Sequence, residues 1–383
     1  MAESGGSITK YKVLQIQNRY NVSASDLAEQ IIQGLPEERF EVTTAFLRGA
    51  PGEGEPRSRA SRSVYFGFSK AATKGLRLRV LWVLYRHCRR ERYDAVIAHR
   101  FKPINAFMLL NFLLRIPACI GVLHGLGEYD RRYRRWELHW LLKGCWRFVG
   151  VSRAVYEDLS SEQGANLPAE HVRRINNAID IDHAESLQHP GNEARRRLGL
   201  PDDVFVFGTI GRLVPVKGHV HLLQAFASVA PQAPQAHLAI IGEGRGRDEL
   251  EALIDLHGLH GRVHLLGAKD DALQYVRAFD AFVMPSLSEG LPLALLEGMS
   301  GHLPVVGSDI DSLRPILQDC GGRVFAVGKP EELAKQLSAL LALSPAERRC
   351  EGDTAYAYLR RAHGIEDFRR QYRELVEELV VRH

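Results

Sequence analysis

The chain has 383 residues, of which 45% are hydrophobic and 25% are charged, and its formal net charge is +4. This balance is typical of an ordinary globular protein, and the sequence contains no internal repeat, low-complexity tract or long disordered tail. At about 100–200 residues per domain, the length predicts two domains. The five cysteines are widely spaced without any Cys-x-x-Cys, which favours reduced thiols in a cytosolic protein.

No segment has the pattern of a membrane span or of a secretion signal. The longest apolar stretch, 104–114, is interrupted by Asn105 and Asn111 and is stopped by Arg115. It is shorter than the ~20 residues that a span requires. The N-terminus lacks a basic segment followed by an apolar one. The histidines form no His-x-x-x-His motif, so no metal site is predicted.

The first half of the chain alternates strand patterns with helical patterns. A strand at 11–17 is followed by a helix at 26–32 and a strand at 40–46. The segment 74–92 has the spacing of an amphipathic helix. Three further strands are predicted at 93–99, 118–124 and 147–152. This alternation predicts parallel strands joined by right-handed crossovers, in a doubly wound α/β domain.

The second half repeats this organisation. A strand that begins at residue 204 ends in a glycine-rich loop with two cations, Arg212 and Lys217, and a helical pattern follows. Taken alone, these cations would be ordinary loop residues, but a strand, loop and helix in this order are what a phosphate loop requires. The other strands are predicted at 237–242, 262–267, 280–284 and 304–306. We expect their carboxyl ends to face one crevice.

Two carboxylates, Glu289 and Glu297, lie eight positions apart around a predicted turn. The strand at 280–284 leads into the turn residues 285–290, and Pro292 has the position of a first helical residue, which tolerates a missing N–H. Glu289 would then lie at the mouth of a site and Glu297 about two turns deeper. Two solvated surface carboxylates are the alternative interpretation.

The helix after this turn is predicted to begin near Leu291. A helix N-terminus offers unpaired N–H groups and partial positive charge. The amides around Gly290, Leu291 and Leu293 could therefore hold a diphosphate.

This segment resembles the Glu-x7-Glu signature of retaining glycosyltransferases with the GT-B fold, in the family-4 group that builds bacterial surface polysaccharides. The resemblance implies two doubly wound Rossmann-like domains that face a central crevice. It places Glu289 at the donor sugar and Glu297 at the ribose hydroxyls. It also implies that Arg212 and Lys217 neutralise the donor diphosphate, since the departing nucleotide diphosphate needs cations nearby.

The resemblance implies further donor and sugar contacts. Gly211 and Gly242 follow strands at the donor side, and Leu266 lies where the family contacts the nucleobase through backbone atoms. A histidine at the position of His124 commonly lies beside the donor sugar, where it could bind the sugar or support the acceptor hydroxyl. A strand-end histidine satisfied by backbone groups is the alternative. The donor would be a UDP-sugar or GDP-sugar, with no cofactor and no metal.

The sequence departs from the family in the loop after the first strand. Family members commonly carry a Gly-Gly pair there, whereas residues 18–25 contain no glycine. Asn21 and Ser23 in this loop are candidates for the acceptor or sugar side, and the small Ser23 leaves close approach possible. Ser152 is a third candidate, because 152–156 resembles the family's segment after the last strand of the first domain.

The domain boundaries also follow from the resemblance. The segment 177–180 resembles the stretch that leads to the second domain of the family. We therefore predict an acceptor-side domain over 1–182 and a nucleotide-sugar domain over 183–364. The amphipathic C-terminal helix, 365–383, is expected to pack back on the first domain.

Charge is distributed unevenly along the chain. Residues 1–190 carry 28 Lys and Arg against 20 Asp and Glu, and 57–102 alone carries 13 basic and 2 acidic residues. The basic cluster 131–136 lies next to Trp140 and Trp146. Basic and aromatic side chains together suit an anionic membrane surface, although a solvated face is the common explanation of a charge run. Nucleic acid is not expected, because no recognition module is present.

The sequence therefore predicts a retaining, metal-independent glycosyltransferase of the hexosyltransferase type. It would act on a glycan or glycolipid acceptor in lipopolysaccharide-core or exopolysaccharide synthesis, in the cytoplasm at the inner face of the cytoplasmic membrane. Two alternatives stay open. One is an inactive nucleotide- or glycan-binding protein of the same fold, and the other is a nucleotide-sugar epimerase or hydrolase.

Overall fold

The computed structural model describes residues 10–22, 26–73 and 77–381, which fold into two compact units. The first unit contains the chain up to residue 177 together with the segment from residue 365 onwards. The second unit contains residues 178–364. The division therefore falls five residues before the predicted boundary at 182.

The first unit is built on a sheet of seven parallel strands, in the order β3-β2-β1-β4-β5-β6-β7. Because the order reverses between β1 and β4, that point is where ligands bind in doubly wound sheets. The strands are β1 (Tyr11–Gln17), β2 (Phe40–Phe46), β3 (Arg62–Tyr65), β4 (Ala95–His99), β5 (Ala118–Leu123), β6 (Trp146–Gly150) and β7 (Val172–Arg174).

Five helices of this unit connect the strands: α1 (Leu27–Gln33), α2 (Leu78–Glu91), α3 (Phe101–Leu114), α4 (Arg132–Leu141) and α5 (Arg153–Ser160). Helix α2 lies within the predicted amphipathic segment and buries Val80, Leu84 and Cys88, one residue per turn. Trp146 is fully buried in β6. It therefore does not belong to a basic and aromatic surface, contrary to the interpretation of the sequence.

The second unit contains a parallel sheet of six strands in the order β10-β9-β8-β11-β12-β13. Its switch point lies between β8 and β11. Both sheets have the doubly wound strand order, so the predicted α/β class with two Rossmann-like units is confirmed. The strands are β8 (Phe205–Ile210), β9 (Ala236–Ile241), β10 (Val263–Leu265), β11 (Ala281–Met284), β12 (Val305–Ser308) and β13 (Arg323–Phe325).

Helices cover both faces of this second sheet. Alternate residues of β11 belong to two different apolar cores, Phe282 to one and Val283 to the other. A strand that is buried on both faces has a continuous run of apolar residues, and the sequence of β11 has such a run. The helices are α6 (Ile181–Leu187), α7 (Gly191–Leu198), α8 (His219–Val229), α9 (Arg247–Leu256), α10 (Leu293–Ser300), α11 (Arg314–Asp319), α12 (Pro330–Ala342) and α13 (Pro345–Ala362).

The last helix, α14 (Ile365–Val381), packs on the first unit. Arg369 donates from Nε to Gln30 Oε1 at 3.1 Å, and Arg39 forms an ion pair with Glu377 at 2.6 Å. Gly34 allows the close approach, because a Cβ there would lie 2.9 Å from the Arg369 carbonyl oxygen. The C-terminal helix is thus an integral part of the first α/β unit.

Candidate active site

The two loops at the switch point of the second unit are fastened to each other. The backbone N–H of Leu287, after β11, donates to the carbonyl of Val216, after β8, at 2.8 Å. Gly218 has φ +67°, and a Cβ there would lie 1.9 Å from the Pro285 carbonyl oxygen. Only glycine therefore allows this approach of the two loops. Their spacing is fixed by the backbone.

An ion pair joins the same two loops. Lys217 Nζ lies 2.5 Å from Glu289 Oε1, and this oxygen also accepts a hydrogen bond from Ser286 Oγ at 2.7 Å. The side chains of Lys217 and Glu289 are only 20% and 11% exposed, so the charges attract each other more strongly than they would in water. The other carboxylate oxygen of Glu289, Oε2, has no hydrogen bond to a described residue. It is available to a ligand.

Arg212 is the second predicted cation of the phosphate loop. It lies two residues after β8 and is exposed. Its guanidinium makes no hydrogen bond or ion pair within 10–22, 26–73 and 77–381. The loop thus presents one cation that is held in place by Glu289 and one that is open to an anion.

The predicted donor residues Gly211, Gly242 and Leu266 lie together at neighbouring strand ends. Gly242 has φ +154°, and a Cβ there would lie 1.9 Å from the Gly211 carbonyl oxygen. The backbone N–H of Gly242 donates to Gly267 at 2.9 Å, and that of Leu266 donates to Ile240 at 2.9 Å. The carboxyl ends of β8, β9 and β10 therefore form one continuous edge beside the two cations.

Helix α10 begins at Leu293, and the predicted diphosphate residues Gly290 and Leu291 are buried just before its N-cap. Pro292 is the N-cap of this helix, with an extended backbone at ψ 123°, and is not its first residue. The predicted place of Pro292 was therefore wrong by one position. The reason is that the ψ of Pro292 is still extended, although its fixed φ of −75° is compatible with a helix.

Glu297 lies one turn into α10 and is partly buried. Burial raises the pKa of its carboxyl to about 7, and the nearby negative charge of Asp271 adds to this effect. Its carboxylate has no hydrogen-bond or ion-pair partner in the described part of the chain. A ligand that offers hydroxyl groups would satisfy this carboxylate.

In the first unit, His124 directly follows β5 and contacts a second histidine that the sequence did not single out. Its Nε2 lies 3.0 Å from Nδ1 of His99, the last residue of β4. Burial and the charge of Arg100 lower the pKa of both imidazoles, that of His99 to about 3. The two rings are therefore neutral at pH 7.

Buried polar groups also lie at the end of β1, beside the switch point of the first sheet. Asn18 Oδ1 and Asp26 Oδ2 are buried without a hydrogen-bond partner in the described chain, as is Gln17 Nε2. The side chains of Gln17 and Asp26 face each other, but their geometry falls short of a hydrogen bond. Burial raises the pKa of Asp26 to about 6. The sequence did not indicate these three residues, because their only signal is polarity just after a buried strand.

The three predicted acceptor-side residues have different positions. Asn21 is exposed in the loop after β1. Ser23 lies outside the described residues. Ser152 is buried, and its Oγ accepts a hydrogen bond from the backbone N–H of Val155 at 3.2 Å. Ser152 therefore caps α5.

Two protein-family models match the chain. The model for "Glycosyl transferases group 1" matches residues 191–355, and the model for "Glycosyltransferase Family 4" matches residues 25–183. Together they cover most of both units. Two solved structures of Anabaena HepE, one with UDP and one with UDP-glucose, superpose on the chain with TM-scores of 0.79 and 0.78, and each shares 20% identity over 96% of this chain and all of that one.

Two curated relatives have similar sequences. The uncharacterized glycosyltransferase MJ1059 of Methanocaldococcus jannaschii is 35% identical over 35% of this chain and 33% of its own length. An Escherichia coli UDP-Gal:alpha-D-GlcNAc-diphosphoundecaprenol alpha-1,3-galactosyltransferase is 27% identical over 60% of this chain and 61% of its own. The matches thus span less than two thirds of either relative. With its paired doubly wound units and both family models, the chain belongs to the family-4 glycosyltransferases of the GT-B fold.

Proposed function

We propose that the protein transfers a sugar from a UDP-sugar or GDP-sugar to a hydroxyl of a glycan or glycolipid, with retention of the anomeric configuration. The observation that carries this proposal is the Lys217–Glu289 pair, which lies beside the open cation Arg212 at a doubly wound switch point. The names of two similar proteins support a nucleotide-sugar donor, because one acts on UDP-Gal and the other was solved with UDP-glucose. The pathway would be lipopolysaccharide-core or exopolysaccharide assembly.

Each residue has a defined role in this reaction. The bond between the anomeric carbon and the diphosphate oxygen breaks, and its electron pair stays on the phosphate, where Lys217 and Arg212 stabilise the charge. The acceptor oxygen bonds to the anomeric carbon on the same face, and its proton passes to the leaving phosphate. Glu289 orients the sugar through its free Oε2, and Glu297 holds the ribose hydroxyls.

The test is transfer from nucleotide sugars to lipid-linked and free glycans in the presence of EDTA, with the product linkage assigned by NMR. Retention predicts that an α-linked donor gives an α-linked product. A β-linked product would contradict the retaining mechanism, and activity that EDTA abolishes would contradict metal independence. Sugar released to water favours a hydrolase, an isomerised donor favours an epimerase, and tight binding without turnover favours a binding protein.

We also infer that an exposed aromatic and basic face on the first unit attaches the enzyme to the inner face of the cytoplasmic membrane. Trp136 and Trp140 on α4 are 68% and 66% exposed, and their rings stack at 6.0 Å. Phe112 on α3 stacks on Trp140, and Lys143 Nζ lies 3.6 Å from the centre of the Phe112 ring. Exposed rings beside cations suit the headgroup region of an anionic membrane.

None of the described helices has the length and apolarity needed to cross a bilayer. Surface attachment is therefore tested by sedimentation with vesicles of phosphatidylglycerol or of phosphatidylcholine. The protein should sediment with the anionic vesicles at low salt and be released at high salt. Replacing Trp136 and Trp140 by Ser should abolish sedimentation, whereas Leu256→Ser, which removes a 75% exposed apolar residue of the second unit, should not. Equal binding to neutral vesicles would contradict the inference.

A further inference from the structure

Two neighbouring strands of the first sheet end in histidines that contact each other. His99 is the last residue of β4, and His124 follows β5 directly. Nδ1 of His99 lies 3.0 Å from Nε2 of His124, with the ring centres 5.3 Å apart. A neutral imidazole has one donor and one acceptor nitrogen. One ring must therefore donate to the other, and the direction of that hydrogen bond fixes the tautomer of both.

The environments of the two remaining nitrogens differ. His99 is 4% exposed, and its Nε2 is buried without a hydrogen-bond partner in the described chain. His124 is partly exposed, so its Nδ1 can meet water or a ligand. The carboxylate of Glu128 is already used, because it accepts hydrogen bonds from the backbone N–H groups of Phe101, at 2.6 Å, and of His124. His99 is thus the partner that orients the His124 ring.

The unpartnered nitrogen of His99 indicates which of the two rings donates the hydrogen bond to the other. If His124 donated, Nε2 of His99 would carry a buried N–H without an acceptor. If His99 donates from Nδ1, its Nε2 carries only a lone pair. Native proteins leave buried N–H donors unpaired less often than acceptors. The second arrangement is therefore favoured, and it places the proton of His124 on Nδ1.

We propose that His99 is a positioning residue that holds His124 in its Nδ1–H tautomer, so that His124 presents a hydrogen-bond donor, and not a base, to a sugar ligand. The His124 tautomer is inferred from the geometry alone, whereas the identity of the ligand rests on the proposed function. It follows that His124 donates to a sugar oxygen and does not take the acceptor proton. That proton is left to the departing phosphate.

Two variants of His99 that are isosteric with each other test the direction of this hydrogen bond. An asparagine places its Nδ2–H₂ where Nδ1–H stands, so His99→Asn can still donate to His124. An aspartate can only accept, so His99→Asp should draw the proton of His124 to Nε2. The 15N chemical shifts of the His124 ring report the tautomer in each protein, and the His124 signal is assigned by its loss in His124→Asn. These spectra need no turnover.

A second histidine pair provides the matched control. Nδ1 of His237 lies 3.0 Å from Nε2 of His264, and His237 is 7% exposed near the amino end of β9. We expect the kcat of His99→Asn to exceed that of His99→Asp by about tenfold or more. The reason is that His99→Asp loses one hydrogen bond from His124 to the transition state. The same exchange at His237 should change kcat by less than about twofold.

The outcomes separate this inference from the proposed function. A His124 ring with Nδ1–H in the wild type and in His99→Asn, and with Nε2–H in His99→Asp, supports the assignment even if no sugar transfer is found. A wild-type His124 that carries its proton on Nε2 overturns it. So does an equal loss of kcat in both His99 variants with an unchanged His124 tautomer, because His99 would then serve only to pack the core. Melting temperatures of all five variants, at His99, His124 and His237, report whether each one folds.

Discussion

The switch points of the two sheets differ in how the loops around them are held, although each sheet leaves polar groups there for a ligand. In the second unit, the loops after β8 and β11 are joined by the Leu287–Val216 hydrogen bond and by the Lys217–Glu289 ion pair. In the first unit, polar atoms are buried without partners in the described chain. They are Gln17 Nε2, Asn18 Oδ1, Asp26 Oδ2 and His99 Nε2.

This difference indicates how each unit meets its ligand. A diphosphate has the same shape and charge in every donor, so loops that are fastened in advance bind it without reorganisation. Buried polar atoms without partners cost free energy until a ligand satisfies them. We therefore expect the second unit to provide a rigid donor site. The first unit should provide a site that is completed by its sugar ligand.

The largest effect is expected from breaking the ion pair of the rigid site. Lys217→Ala removes the cation that meets the leaving phosphate, and kcat should fall by about 100- to 1,000-fold. The fold should persist, since Glu289 keeps its hydrogen bond from Ser286. Lys335→Ala, which changes an exposed lysine of α12, is the control and should leave kcat unchanged. Near-normal transfer by Lys217→Ala would remove the leaving-group role.

A glycine substitution tests the fastening of the two loops. Gly218→Ala would place a Cβ 1.9 Å from the Pro285 carbonyl oxygen, so the loops must separate, and donor affinity should fall by about tenfold or more. Gly199→Ala is the matched control, because φ is +68° there as against +67° at Gly218, but no atom lies within 4 Å of its Cβ. Both variants have the strain of a positive φ, and only one has the clash. Calorimetric titration with UDP-glucose should distinguish them, and equal affinities would contradict the fastening.

The pKa of Glu297 predicts how donor binding depends on pH. Because this pKa is about 7, the carboxylate fraction rises between pH 6 and pH 8, and affinity for UDP-glucose should rise with it. Glu297→Gln should bind several-fold more weakly at pH 8 and show a flat profile. A Glu297→Gln profile as steep as that of the wild type would assign the pH dependence to another group.

Glu297 should also lower the stability of the fold at the pH values at which it binds the donor best. The folded pKa lies above the ordinary value of about 4.3, so the contribution of Glu297 to stability is full at low pH and is lost as pH rises through about 7. Glu297→Gln should therefore raise the melting temperature at pH 8 more than at pH 5. Thermal unfolding at the two pH values measures this difference, and an equal shift at both would contradict it.

The smallest effect is expected in the first unit. Asn18→Ala removes a buried carbonyl oxygen that has no partner in the described chain, so the variant should lose little stability. The KM for the acceptor should rise about fivefold while the affinity for the donor stays the same. Initial-rate kinetics with each substrate varied in turn separates the two. A change in donor affinity alone would instead indicate that Asn18 contacts the donor.

The sequence predicted most of the central strands because they are buried on both faces and read as apolar runs. The edge strands β3, β7 and β13 were missed, since they are only three or four residues long and contain Arg62, Arg173 and Arg323. Short edge strands that carry charge have no strong hydrophobic period.

The candidate site was predictable only in part. The sequence indicated Lys217 and Glu289 separately, but their contact joins residues 72 positions apart and follows from the strand order. The contact between His99 and His124 has the same origin, because two strands must pair before their ends can meet. Gln17, Asn18 and Asp26 were missed because an unsatisfied polar atom is defined by burial, which a single sequence does not display.

The central claim, a preorganised nucleotide-diphosphate site that depends on Lys217, is tested most directly by thermal shift. The wild type and Lys217→Ala are compared with UDP, GDP, ADP, CMP and dTDP and their common sugars, in EDTA. We predict a selective rise in melting temperature with one nucleotide diphosphate for the wild type, and its loss in Lys217→Ala. No rise with any nucleotide, or an equal rise in both proteins, would contradict the account.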